Sequence, residues 1–120
     1  MASLRLESEM GDDGILRITL DGRFDVDGAM AVDMKFATLT GARKAAVLVD
    51  MSGVSFLASL GIRTLLASAK GAAARGGRLV LVKPQPLVAE VLTTSGIASL
   101  IPMFDDSELA ITALREITAA

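Results

Sequence analysis

Hydrophobic and polar residues alternate along two segments near the start of the chain. Residues 4–7 (Leu-Arg-Leu-Glu) and residues 16–21 (Leu-Arg-Ile-Thr-Leu-Asp) both follow a period of two, which predicts half-buried β-strands. Between them, residues 11–14 read Gly-Asp-Asp-Gly, a composition typical of a turn. The first two strands are therefore expected to form an antiparallel hairpin.

Later segments place apolar residues at helical spacing and predict four helices. Asp27 is expected to cap the first helix, Gly76 and Gly77 to end the second, Pro86 to open the third, and Ser107 to begin the last. The residues expected on the buried faces are Ala29, Val32, Phe36 and Leu39; Ile62, Leu65, Leu66, Ala69 and Ala73; Leu87, Val88, Val91 and Leu92; and Ala110, Ala113, Leu114 and Ile117.

Two continuous apolar runs, residues 45–49 and 79–82, predict central strands that are covered on both faces. Residues 100–101 (Leu-Ile) are expected to form a short edge strand. The predicted order is β-β-α-β-α-β-α-β-α, an α/β fold with a four- to five-stranded mixed sheet and about four helices. Neither an internal repeat nor a linker is seen, so residues 1–120 are expected to form one domain.

Composition excludes several classes of function. The chain has neither cysteine nor histidine, which excludes disulfides, thiolate metal sites and hydrolases with a Ser-His-Asp or Cys-His arrangement. A net charge of −2 implies no surface for nucleic acid. No apolar run reaches the roughly 20 residues of a membrane span, and charges within the first ten residues argue against a signal peptide. Composition leaves an all-carboxylate Mg²⁺ or Ca²⁺ site open. We nevertheless expect a cytoplasmic protein without membrane insertion, cofactor, metal or catalytic residues.

Sites in open α/β sheets lie beyond the carboxyl ends of the strands, which brings residues 22–27, 50–60 and 83–87 together. Within them, Ser59 stands just before a helix and permits two interpretations, a plain N-cap or a phosphoacceptor at the helix N-terminus. The residues alone favour the cap, because N-cap serines are common. Asp25 and Asp27 are more typical of loop and cap carboxylates than of a metal site.

Several motifs in this region resemble those of a known family. Asp50-Met51-Ser52 and Ser59-Leu60-Gly61 resemble the segment around the third strand of STAS-domain proteins of the anti-sigma factor antagonist type. Residues 22–25 (Gly-Arg-Phe-Asp), 84–97 and 104–106 (Phe-Asp-Asp) resemble further parts of that family in the same order. The likeness covers nearly the whole chain and implies a STAS fold.

The resemblance also implies a mechanism, in which the unphosphorylated domain binds an anti-sigma factor, often a serine kinase, and so releases a sigma factor. Ser59 would be the phosphoacceptor, with Asp25 and Asp50 close to it and a phosphatase reversing the modification. Partner contacts are expected from Asp25, Asp50, Ser52, Leu57, Ser59, Leu60 and Arg63, with Leu57 and Leu60 as exposed apolar anchors.

Two departures from the family pattern leave a second function open. Ala58 replaces the acidic residue that usually precedes the serine, and Leu60 replaces a small residue. Other STAS proteins that depart at this site are unphosphorylated scaffold subunits of stress-signalling or lipid-transport complexes. The chain itself is expected to be a monomer or a weak dimer.

Overall fold

The computed structural model describes residues 4–41 and 45–118. Strands β1 (Leu4–Met10) and β2 (Ile15–Phe24) form the predicted antiparallel hairpin, with Leu6 opposite Leu20. The turn between them is fixed by Asp13, whose Oδ1 accepts a hydrogen bond from the backbone N–H of Ile15 at 3.1 Å. The hairpin prediction is confirmed.

The remaining elements follow the predicted alternation of helices and strands. They are α1 (Val26–Gly41), β3 (Ala46–Leu57), α2 (Ser59–Ala74), β4 (Arg78–Val82), α3 (Pro86–Thr94), a 3₁₀ turn (Ile97–Ser99), β5 (Met103–Phe104) and α4 (Ser107–Thr118). Within the described residues, the strands form one five-stranded sheet in the order β1-β2-β3-β4-β5. Only the first pair is antiparallel; the other three pairs are parallel. The mixed α/β fold is thus confirmed.

Helices cover both faces of the sheet, because the side chains of the central strands alternate between two cores. On one face, α1, α2 and α3 pack over the larger core, and α4 covers the other face. In β3, Val47 and Val49 point into the first core, whereas Ala46 and Leu48 point into the second. This two-sided burial explains why residues 45–49 form a continuous apolar run.

The edge strand lies three residues later than predicted, at Met103–Phe104 instead of residues 100–101. Ile97 O accepts hydrogen bonds from the N–H groups of Leu100 and Ile101, both at 2.9 Å. Residues 100–101 therefore close the 3₁₀ turn, and the expectation that they form a strand is wrong. Pairing with β4 begins at Pro102, whose carbonyl accepts from the N–H of Leu81 at 2.9 Å.

Three further expectations on the helices are wrong. Asp25, rather than Asp27, caps α1, because its Oδ1 accepts from the N–H of Gly28 at 2.8 Å while Asp27 already lies in the first turn. Ala73 is exposed, and its neighbour Ala72 is buried instead. Leu87, in the first turn of α3, has 73% of its surface exposed. The predicted burial of the Ile117 side chain falls outside the described part of the chain.

Candidate site at the N-termini of two helices

The ends of β2 and β3 bring the N-termini of α1 and α2 together. Phe24 pairs with Leu57 across the two strands, and the N–H of Ala58 donates to the carbonyl of Phe24 at 2.9 Å. Asp25 follows Phe24 and precedes α1, and Ser59 follows Ala58 and begins α2. The two residues therefore stand at neighbouring helix starts. The expected position of Ser59 at a helix N-terminus beside Asp25 is therefore found.

Ser59 is the first residue of α2 and not its cap. The N-cap is Ala58, whose φ of −100° and ψ of 171° are the extended backbone that this position needs. No side chain caps the helix there, so the interpretation of Ser59 as a plain N-cap is wrong. Its hydroxyl is exposed, next to N–H groups and a dipole that favour an anion.

Asp25 is held in place by several contacts. Besides the N–H of Gly28, its carboxylate binds Arg23, with Nε to Oδ2 at 3.5 Å. The guanidinium of Arg23 also lies 4.4 Å from the centroid of the Phe56 ring, in cation–π geometry. Arg23 therefore connects Asp25 to Phe56 beside the start of α2.

Leu57 does not have the exposure expected of an apolar anchor. Only 4% of its surface is accessible, whereas Phe56 is 40% exposed. The register explains the exchange: Gly22 pairs with Val54 but Arg23 pairs with Phe56, so one extra residue on β3 forms a bulge. Relative to Val54, this bulge turns Phe56 outward and Leu57 into the core. The register also shifts between Thr19 and Asp21, and the two shifts together return Leu57 to the side of Val49 and Met51.

Asp50 and Ser52 lie away from Ser59, which corrects the expectation that Asp50 is close to it. Asp50 sits within β3, paired with Thr19 and Val82, and the strand continues for seven more residues to Leu57. At about 3.3 Å per strand residue, this separates Asp50 from Ser59 by on the order of 20 Å.

Asp50 belongs to a second set of hydrogen bonds, away from Ser59. Its Oδ1 accepts from the N–H of Ser52 at 2.9 Å, and the carbonyl of Ser52 accepts from Gln85 Nε2 at 2.8 Å. The segment 83–87 is thus tied to the middle of β3. The predicted loops at residues 22–27 and 50–60 are partly strand. β2 continues to Phe24 and β3 to Leu57, beyond the segments predicted as strands.

A shallow groove of about 370 Å³ runs between α1 and α2, beside Ser59; we call it the α1–α2 groove. Leu60 is half-buried against the core, and Arg63 is exposed. On the α2 side the buried hydroxyl of Thr64 donates toward α1, 3.2 Å from Asp33 Oδ1. The groove is lined by Ala29, Met30, Asp33, Leu60, Arg63, Thr64 and Ala67. Leu60 and Arg63 therefore both line this groove, and Ser59 precedes them at the start of α2. Their contact with a partner stays a prediction.

The described residues offer little other chemistry. In residues 4–41 and 45–118, no three carboxylates are grouped so as to hold a metal ion. Over the same ranges, every helix is too short or too polar to cross a bilayer. At Ser59 the described residues present an exposed helix N-terminus, whose N–H groups and dipole favour an anion.

Residues 10–102 match the family model described as "Mlab, STAS domain". The chain belongs to the STAS domain family. The resemblance predicted from the motifs at Asp50 and Ser59 is confirmed.

Two anti-sigma factor antagonists are similar to this chain over most of their length. BtrV of Bordetella bronchiseptica, a protein named as an anti-sigma factor antagonist, is 29% identical over 103 residues, 86% of this chain and 89% of the relative. The anti-sigma factor antagonist SpoIIAA in its unphosphorylated form is 26% identical, with a TM-score of 0.76 over 93% of this chain and 97% of that one.

The fold match is closer still in a crystal structure of an anti-sigma factor antagonist from Mycobacterium paratuberculosis. Its TM-score is 0.84, and the likeness covers 95% of this chain and 96% of that one at 24% identity. This similarity shows a common STAS fold. The predicted element order is the order of that family.

Proposed function

We propose that this STAS protein is an anti-sigma factor antagonist that binds an anti-sigma factor of the serine-kinase type and thereby frees a sigma factor. Phosphorylation of Ser59 ends the binding, and a phosphatase restores it. The observation that carries the proposal is the position of Ser59, exposed at the start of α2 with no side chain capping the helix. Such a role requires no catalytic residue in this chain.

A second structure of SpoIIAA supports the phosphorylation step of this proposal. The Bacillus protein has been solved in its phosphorylated form, and that structure is 25% identical with a TM-score of 0.66 over 91% of this chain and 98% of that one. The same fold therefore accommodates both states in that relative.

Physical chemistry explains why a phosphate would act on the complex more than on the fold. A phosphoserine carries nearly two negative charges, and the N-terminus of α2 stabilises an anion there by roughly 0.3–1 kcal/mol. Asp25 at the neighbouring helix start opposes it in part. In a complex, however, the same dianion must lose its water against a partner surface, which is costly. Partner binding is therefore the sensitive quantity.

The test combines phosphorylation with binding. Incubation with the cognate kinase and ATP should add the mass of one phosphate, and Ser59→Ala should abolish that gain. Ser59→Asp should weaken binding of the anti-sigma factor, whereas Ser59→Ala should bind as the unchanged chain does. Ser107→Asp is the matched control, because Ser107 is the first residue of α4 at another helix N-terminus. Loss of binding in both aspartate variants would argue against a site at Ser59.

A second function, a scaffold subunit that is not phosphorylated, is favoured by one observation. Ala58 occupies the N-cap of α2, where family members have an acidic residue. Ala58→Asp supplies that carboxylate and should raise the rate of Ser59 phosphorylation if the missing acid limits the kinase. No added phosphate in either protein, together with partner binding that is indifferent to Ser59→Asp, would establish the scaffold role.

A further inference from the structure

Strand β1 forms one edge of the sheet. Within the described residues it pairs with β2 alone, so the backbone N–H and C=O groups along its other side have no strand to bind. The opposite edge of the sheet, β5, has only two residues, whereas β1 has seven. The long edge of β1 is therefore the place where this sheet can be extended.

The two faces of β1 differ in character. Leu4 is buried and Leu6 half-buried on the side that packs against the larger core under α1. Arg5 and Glu7 are exposed on the other side. A strand added to this edge would meet a row of charges on one face and an apolar residue on the other.

We propose that β1 pairs antiparallel with β1 of a second copy of this chain, around a two-fold axis at Leu6. Residues opposite each other in an antiparallel pair lie on the same face. Arg5 of each copy then faces Glu7 of the other, which makes two opposite-charge pairs. Leu6 faces Leu6 on the α1 side, and the two sheets become one continuous sheet.

Charge selects this register among the symmetric ones. An axis at Arg5 would set Arg5 against Arg5, and an axis at Glu7 would set Glu7 against Glu7. An axis at Ser8 would place Glu7 opposite Glu9 twice. If odd-numbered residues were instead paired with even-numbered ones, the α1 side of β1 in one copy would lie on the same side of the joined sheet as the exposed side of β1 in the other copy. Among axes at residues 5–8 of the described strand, only the one at Leu6 matches both the charges and the faces.

The absence of cysteine from the sequence allows a direct test of the register. A Leu6→Cys variant should form an intermolecular disulfide under mild oxidation, because opposite strand residues have Cα atoms about 5 Å apart, within disulfide range. The control is Glu9→Cys on the same exposed edge. In the proposed register the two copies of residue 9 are six positions apart, roughly 20 Å, and should not cross-link. Equal cross-linking of both variants would overturn the register.

Charge exchange tests the pairing itself in solution. The surface is small, so sedimentation equilibrium of the unchanged chain should show dimers in the range of about 0.1–1 mM. Arg5→Glu should weaken dimerisation about tenfold, and the double variant Arg5→Glu/Glu7→Arg should recover it. Asp21→Asn controls for the ion pair that Arg5 makes within its own chain, 3.5 Å from Asp21 Oδ2, and should leave dimerisation unchanged.

These outcomes are independent of the proposed function, since neither Ser59 nor an anti-sigma factor enters the experiment. A chain that stays monomeric at about 1 mM, with Leu6→Cys no more reactive than Glu9→Cys, would overturn the proposal. Recovery of the dimer by the charge exchange, together with selective cross-linking at residue 6, would support it.

Discussion

At the scale of single residues, the turn of the first hairpin contains a close ion pair between Asp13 and Arg17. The carboxylate of Asp13 accepts hydrogen bonds from Arg17 Nη1 and Nη2, at 3.2 and 3.0 Å, and from the N–H of Ile15 at 3.1 Å. These contacts, chiefly the one to Arg17, lower the pKa of Asp13 from 3.8 to about 2. The same ion pair raises the pKa of Arg17.

The lowered pKa of Asp13 predicts how its contribution to stability depends on pH. Because the pKa is lower in the folded chain than in the unfolded one, Asp13 stabilises the fold above pH 3.8 and loses this effect as pH falls toward about 2. Asp13→Asn should therefore unfold at lower urea concentration at pH 7, and the difference should shrink between pH 4 and pH 2. A stability difference for Asp13→Asn that stays constant between pH 4 and pH 2 would contradict the ion pair.

At the scale of elements, the start of α2 is held close to the sheet by a glycine. A Cβ atom on Gly61 would lie 2.8 Å from side-chain carbons of both Leu57 and Phe24, closer than packed atoms approach. Gly71 lies about three turns further along α2. Among the described residues, only Gly41 Cα is near such an atom there, at 3.8 Å. The glycine of the Ser-x-Gly motif thus lets the helix N-terminus sit against the core, which fixes where Ser59 stands.

The two glycines predict opposite effects of the same substitution. Gly71→Ala should stabilise the chain by roughly 0.5–1 kcal/mol, because alanine is the better helix residue and has room there. Gly61→Ala gains the same propensity but must displace Phe24 and Leu57, so a net loss of about 1–3 kcal/mol is expected. Urea denaturation of both variants measures the difference. A stabilising Gly61→Ala would mean that α2 does not pack this closely.

Elements were predictable where periodicity is regular and less so where it is interrupted. The alternation of residues 16–21 and the apolar run of residues 45–49 indicated β2 and β3 correctly. The further extent of β3 was not predicted, because two β-bulges against β2 interrupt the alternation, so that the buried residues Met51, Val54 and Leu57 are three positions apart. Such a bulge depends on pairing with a strand distant in sequence, which local pattern does not contain.

At the scale of the whole molecule, parallel strand order determines which residues meet. The rule that sites lie beyond the carboxyl ends of strands correctly predicted that Ser59 and Asp25 would be neighbours. It failed for Asp50, because the strand does not end there but continues to Leu57. The motif itself did not show this, since Asp50 and Ser59 are near in sequence and the extended backbone between them separates them in space.

Under the proposed function, only one end of the sheet contacts the anti-sigma factor, and charge reversal at each end tests this. Arg63 lies beside Ser59 in the α1–α2 groove, whereas Arg78 is exposed at the start of β4, which pairs with the start of β3 at the opposite end. Under the proposed function, Arg63→Glu should weaken anti-sigma factor binding by roughly tenfold and reduce its dependence on salt, because it removes a rim charge that attracts the partner.

Arg78→Glu makes the same change in net charge at the far end and should leave the affinity within experimental error, as should Glu116→Lys on α4. Titration calorimetry at low and moderate salt, with circular dichroism to verify the fold, provides the comparison. If Arg63→Glu and Arg78→Glu weaken binding equally, the partner responds to the overall charge of the molecule. If only Arg78→Glu weakens it, the binding surface lies at the other end of the sheet.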